Sequence, residues 1–416
     1  MSECSAGARP PWENARMSFG IVEVITLLLG MSGFGLQTNP NAPTADQSLQ
    51  YAMPDADVVV HFDAASVVPG NYKVLQNLPN QPQIKASPEL AKMVRQAIGE
   101  VEGARGLAKG ATGIDLVTDI SDATVFLQIV PQQEPKFVAV VHGKFSTATV
   151  DKIAKMARGT VTKVGSGVMM EKGNDPAIGV TKDGVMIAGT ANLVRDRLGD
   201  AWKSPTRTPG GNLAFAAEVL GAKPIYAVVL TMSPVARKQA LAKMGGDKNF
   251  VTDLIQRHKA ASVSVFSDGV GWTWVDTTKA GMDSMAMMSE GWLELMRAMQ
   301  IAPRGFAKIA LGAIDSYKGK DKKIDDLIRR KGDVMKIVES YTGDGNFKTK
   351  IDRDAKANKL TVRATGKTLS EVVPAGFFIP AAVVGWLTFA GRSEAPAPMQ
   401  MPAPPAKSPG ISGKKT

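Results

Sequence analysis

Two tight-turn dipeptides, Asp183-Gly184 and Asp268-Gly269, each separate two runs of β-forming residues. A strand pair joined by so short a turn has to run antiparallel, because a parallel return needs a crossover of about a dozen residues or more. Residues 177–182 and 185–189 flank the first turn, and residues 261–267 (ASVSVFS) and 270–277 (VGWTWVDT) flank the second. Residues 123–130 and 136–145, joined by PQQEP, and residues 347–351 with 360–364 add two further pairs. The sheet is therefore predicted to be largely antiparallel, which argues against a doubly wound nucleotide-binding fold.

Helical patterns punctuate these hairpins. Ser87-Pro88 supplies an N-cap and first-turn proline for a helix with Leu90, Met93, Val94, Ala97, Ile98 and Val101 on one face. Ser146 opens a second, with Val150, Ile153, Ala154 and Ala157 aligned, and Ser233-Pro234 opens another. A helix near 321–340 precedes the last hairpin. A strand at 57–62 (DVVVHF) begins the first pass through this order, and a strand at 225–231 begins a second. The predicted fold class is α+β: two related halves, 55–202 and 212–371, each an antiparallel sheet with helices on one face. The breakpoint is the loop-like stretch 203–211 (KSPTRTPGG). This layout resembles uncharacterised families of exported bacterial proteins built from paired α+β halves; the likeness is one of architecture and implies no functional residues.

The ends of the chain carry a different signal. Residues 19–36 (FGIVEVITLLLGMSGFGL) form an apolar run with one charge, Glu23, after Arg9 and Arg16. Within 1–36 this reads as a signal or anchor segment, with Met17 a second candidate start. The residues 37–50 contain no Lys or Arg, so the positive-inside bias places the N-terminus in the cytoplasm and the body on the other side. Residues 37–54 read as a linker. Near the other end, 372–391 (VVPAGFFIPAAVVGWLTFAG) has no charge and is long enough to cross a bilayer, although Pro374 and Pro380 leave open a hydrophobic strand-and-turn packed on the core. Residues 392–416 are a Pro-rich tail read as disordered. The pattern Phe19-Gly20-Ile21-Val22-Glu23-Val24 resembles the start of type IV pilins and pseudopilins, which implies export, with Glu23 meeting a neighbouring subunit's terminal amine.

Composition narrows the chemistry. The single cysteine, Cys4, excludes a disulfide scaffold, and with three histidines the chain has no Cys-rich zinc module. Net charge is +11, but aromatic residues are 6%, too few for a base-stacking surface, so nucleic acid is not an expected partner. No phosphate-binding glycine motif, G-x-S-x-G elbow, H-E-x-x-H pair or twelve-residue calcium loop occurs. No cofactor, metal site or catalytic residue is therefore expected. His61 and His142 fall in strands of the first half with Asp63 nearby, a pattern open to base catalysis but more simply two sheet residues; His258 reads as a helical core-edge residue beside Leu254 and Ile255. Asp115, Asp119 and Asp122 read as turn and cap chemistry rather than a cation site, and Asp352 and Asp354 as a hairpin loop.

The most distinctive segment is the helix 279–300, where Met282, Met285, Ser289, Trp292, Met296 and Met299 recur in steps of three and four. Such a heptad seam packs in a core or meets another helix, and methionine adapts to apolar partners. Trp272 and Trp274 lie on one face of their strand. Together Met282, Met285, Trp292, Met296, Met299, Trp272 and Trp274 form the expected binding surface. The function these features imply is a membrane-tethered exported envelope protein, its body held on the membrane and binding or scaffolding an envelope protein or wall polymer without catalysis. Two alternatives stand beside it: an apolar-ligand-binding or transport accessory protein, and a hydrolase using a strand histidine.

Overall fold

The computed structural model describes residues 46–366 except 86–87, 131–132, 174–175, 204–210, 244–249, 314, 316–317, 320–324, 326–327, 330 and 342–345. The apolar run 19–36, most of the breakpoint, the segment 372–391 and the tail 392–416 lie outside the described residues. In chain order the elements are α1 (Asp46–Leu49), β1 (Val58–Phe62), α2 (Ala64–Asn77), α3 (Pro82–Lys85), α4 (Pro88–Thr112), β2 (Ile120–Gln128), β3 (Lys136–Gly143), α5 (Thr147–Ala157), β4 (Thr160–Val164), β5 (Gly167–Glu171), β6 (Ala177–Val180) and β7 (Met186–Gly189). There follow α6 (Ala191–Leu198), α7 (Asn212–Gly221), β8 (Tyr226–Thr231), α8 (Pro234–Lys243), α9 (Phe250–Arg257), β9 (His258–Phe266), β10 (Gly269–Asp276), α10 (Lys279–Ala313), α11 (Lys331–Tyr341), β11 (Lys348–Asp354) and β12 (Lys359–Thr365).

The described strands form one sheet in the order β11-β12-β10-β9-β8-β1-β2-β3-β7-β6-β5-β4, every pairing antiparallel. The α+β class expected from the hairpins is the observed one. At the centre β1 lies against β8, Val60 opposite Val228, so that the strands of the first and second halves join into a continuous sheet. Outward from that seam the orders are β1-β2-β3-β7-β6 on one side and β8-β9-β10-β12-β11 on the other. Asp57, fully buried just before β1, ties the two sides. Its carboxylate accepts from Ile129 N after β2 (2.8 Å) and from Ser233 N after β8 (3.1 Å).

Helices cover both faces of this sheet, where one face was expected. Met169 and Met170 show why. As neighbours on β5 they point to opposite faces, and Met169 packs in one core with Val194 and Leu198 of α6, while Met170 packs in another with Val150 and Ala154 of α5. Helices α6 and α7 were not anticipated because α6 is short and polar and α7 (NLAFAAEVLG) is apolar nearly all round, so neither shows a clean helical stripe. Other expectations also shift. Helix α2 was missed because Pro69 and Gly70 interrupt its pattern, although Asp63 caps it through Ser66 N at 3.0 Å. Strands β4 and β5 flank the turn at Gly165 and Ser166. Asp352 and Asp354 belong to β11, with Asp354 Oδ1 receiving Lys356 N and Ala357 N at its end. His258 opens β9 rather than closing a helix.

Candidate binding surface

Helix α10 is rich in Met and Ala, both good helix formers, and runs for 35 residues. Its start is fixed by a chain of caps. Asp276 at the end of β10 accepts from Thr278 N (2.9 Å), and Thr278 Oγ1 accepts from Gly281 N (3.0 Å). Gly281 permits this approach, since a Cβ there would stand 2.2 Å from the Asp276 carboxylate. From that anchor α10 folds back over β10 and β12. Met282, Ala286, Leu293 and Met296 fill a core with Val265, Val270, Leu360, Val362, Ala364 and Phe347. Burying the larger of these side chains is worth about 1.5–3 kcal/mol each. Ser289 belongs to the same line, buried, and its hydroxyl accepts a hydrogen bond from Trp272 Nε1 at 2.8 Å.

The seven residues expected to share a surface divide between inside and outside. Met282 and Met296 are buried against the sheet. Met285, Trp272 and Trp274 are partly buried and pack on that core; Trp274 also donates to Asp276 (3.3 Å) and its ring lies 4.4 Å from that of His258. Trp292 is on the outer side, 44% exposed, and Met299 lies on α10 beyond the described side chains. The buried line is Met282, Ala286, Ser289, Leu293, Met296 and Gln300. It follows the same spacing as the expected seam but is rotated by one position at alternate steps. The outer face carries what the sequence pattern did not single out: Met287 (72% exposed), Leu295 (47%), Ile301 (49%), Phe306 (72%) and Ile309 (71%). The steps of three and four through Trp292, Leu295, Phe306 and Ile309 were the signal for three of them; Met287 and Ile301 lie off that line.

The histidines sit inside the sheet's layers. His61 Nδ1 lies 2.9 Å from Thr124 Oγ1, and burial pulls its pKa down to about 4. His142 Nδ1 lies 2.9 Å from Asp122 Oδ1 and 3.5 Å from Ser48 Oγ. Serine, histidine and aspartate thus meet, but hydroxyl and carboxylate share one ring nitrogen, whereas nucleophile activation needs them on opposite nitrogens. His142 Nε2 is buried with no hydrogen-bond partner among the described residues, and Ser48 is fully covered, so no substrate reaches the hydroxyl in this arrangement. Burial first, then the charge of Arg237, likewise holds His258 down near pKa 4.

The carboxylates of the 115–122 stretch separate. Arg105 grips Asp115 with two hydrogen bonds (2.8 and 2.7 Å) and holds its carboxyl far below the usual range. Asp119 takes Asp115 N and Lys144, and Asp122 takes His142. Among the described residues no three His, Cys, Asp or Glu converge as a metal site would require, and no helix is long and apolar enough to cross a membrane.

Among the described residues, fold and surface define an α+β protein with a long antiparallel sheet and a helix, α10, that is apolar on two sides. No family model matches the chain, and no curated protein matches it. The chain is similar to solved structures that include crystal forms I and III of TP0453. Form I is 10% identical with a TM-score of 0.32, over 80% of this chain and 98% of that one; form III is 10% identical with a TM-score of 0.31, over 81% and 100%. At such scores the likeness carries no argument about function.

Proposed function

We propose that the chain is a membrane-tethered, exported protein of the bacterial cell envelope that works by contact rather than catalysis, with the outer face of α10 as its contact surface. The observation that carries the reading is the row of exposed large apolar side chains on α10, from Trp292 to Ile309, on a helix whose other side is already packed. Surface apolar residues gathered in a continuous patch mark interaction sites, whereas scattered ones do not. The export half of the reading draws on the apolar run 19–36 and the Lys- and Arg-free stretch behind it. Leaving out the six basic and four acidic residues of the two ends, the body 37–371 is +9, a balance that favours anionic lipid or wall polymer as its surroundings.

The test is extraction of membranes bearing the full chain, first with high salt and then at high pH. A tethered protein stays in the pellet through both washes. Release by salt alone would reduce the attachment to charge, and recovery in the soluble fraction before any wash would contradict the tether.

A further inference from the structure

Among the described residues the sheet ends on two strands that have a neighbour on one side alone, β4 and β11. An open edge is a hazard, because its unpaired N–H and C=O groups accept any extended chain, and edge charges ordinarily deter such pairing. Strand β11 (KTKIDRD) carries charges in an order that does more than deter. Lys348, Lys350, Asp352 and Asp354 alternate with Thr349, Ile351 and Arg353, so all four stand on one face of the strand, and all four are exposed. The other face is turned to α10, where Ile351 packs on the core and Arg353 donates to Glu290. Across the strand on β12 the facing cations Arg363 and Lys359 are already taken by Asp268 and Glu218. Within the chain Lys350 lies 2.7 Å from Asp352, an exposed pair that costs little to exchange.

The ladders fix which main-chain groups β11 leaves open. At the two ends of the β10 and β12 pairing, Asp276 N donates to Asn358 O (3.0 Å) and Gly366 N to Asp268 O (2.9 Å). The even-numbered residues of β12 therefore bond to β10 and the odd-numbered ones to β11. Those odd positions face Lys348, Lys350, Asp352 and Asp354. Thr349, Ile351 and Arg353 are left to aim their N–H and C=O groups at the open edge. A second β11 laid antiparallel on that edge about a two-fold axis at Ile351 meets them as hydrogen-bonded pairs, Ile351 opposite its counterpart and Thr349 opposite Arg353. Lys348 then stands opposite Asp354 and Lys350 opposite Asp352, each twice by symmetry. These are the non-hydrogen-bonded positions, where facing side chains come closest. The other open strand, β4 (TVTKV), laid on itself in the same way sets Lys163 opposite Val161 and has no acid to offer. A foreign strand would need two acids followed by two bases in matching register, and β11 read backwards supplies that order.

We propose that β11 pairs antiparallel with β11 of a second copy of this chain about a two-fold axis at Ile351. The two sheets join edge to edge, with the Lys348 to Asp354 and Lys350 to Asp352 ion pairs formed between copies. The pairing does not depend on what the outer face of α10 touches.

Disulfide formation between purified full-length chains carrying Cys4→Ser tests the register. Facing non-hydrogen-bonded positions bring their Cα atoms to about 4.5 Å, within reach of a disulfide. A chain with Lys350→Cys mixed with one carrying Asp352→Cys should therefore give a covalent dimer on mild oxidation. Chains with Lys348→Cys alone should not, because the two thiols lie six residues apart along the paired strands, about 20 Å. Sedimentation of the otherwise unaltered chain tests the charges. Lys350→Asp alone, or Asp352→Lys alone, sets like charges opposite each other twice and should weaken dimerisation about tenfold. An equimolar mixture of the two restores opposite charges at every position and should bring the dimer back. Both side chains are exposed in the single chain, so folding is not at stake. A parent chain that sediments as a monomer, no disulfide between 350 and 352, equal cross-linking at 348, or charge variants that dimerise like the parent would each overturn the pairing. So would a mixture that fails to recover the dimer. None of these results would touch the tether or the contact role of α10.

Discussion

Trp272 Nε1 donates a 2.8 Å hydrogen bond to Ser289 Oγ, joining β10 to the buried side of α10. This one contact fixes the roll of the helix about its axis: with Ser289 turned to the sheet, Trp292 and Leu295 must turn away. Ser289→Ala should cost about 1–2 kcal/mol in urea unfolding, since it strips the indole N–H of that partner in a half-buried place. Trp292→Ala on the open face should change stability by less than about 0.5 kcal/mol.

Arg197 is buried and donates to Tyr51 O (2.6 Å), Ala52 O (2.9 Å) and Leu193 O (2.9 Å), so that α6 holds the stretch leading into β1. Removing the guanidinium leaves two carbonyls from the entry segment without their donor. Arg197→Ala should lower stability by about 3 kcal/mol and open the chain near residue 50 to protease. Arg197→Lys, unable to span both carbonyls, should recover less than half of the loss.

Asp57 binds backbone amides on both sides of the central seam. Asp57→Ala should cost about 2–3 kcal/mol, and hydrogen exchange should rise at Ile129 and Ser233 together. A rise at only one of them would mean that the two sides open separately.

Acid should weaken the fold through His61 and His258. Burial holds both near pKa 4, whereas in the unfolded chain each titrates near 6.5. The unfolded state therefore binds more protons between those values, so the stability from keeping these rings neutral is full above pH 6.5 and is lost as pH falls toward 4. The loss amounts to at most about 3 kcal/mol per histidine. His61→Gln and His258→Gln should each flatten the slope of stability against pH across that window.

Local pattern made the hairpins legible: the turn expected at Asp268-Gly269 closes one residue earlier, through Ser267 and Asp268 with Phe266 paired to Gly269, and Ser146 and Ser233 open helices where caps were expected. What the pattern hid was tertiary. Nothing local marks that Val60 pairs with Val228, because both strands, VVVHF and YAVVLT, are largely apolar runs that suit many neighbours. The buried line of α10 also escaped, since Met282, Ser289 and Met296 belong to both candidate seams and only contact with Trp272 and Leu360 decides between Leu293 and Trp292 as the inward residue. His258 was placed on a helix because the apolar stripe of α9 runs directly into β9 with no Gly or Pro between them.

The central claim is that the body is exported and tethered. Reporters that distinguish cytoplasm from the exterior, fused after Gln50 and after Thr365 in the full N-terminal context, test it most directly. Both fusions should report the exported side. Activity confined to the cytoplasm at both positions would contradict the account and return residues 19–36 to the role of a core or partner-binding segment.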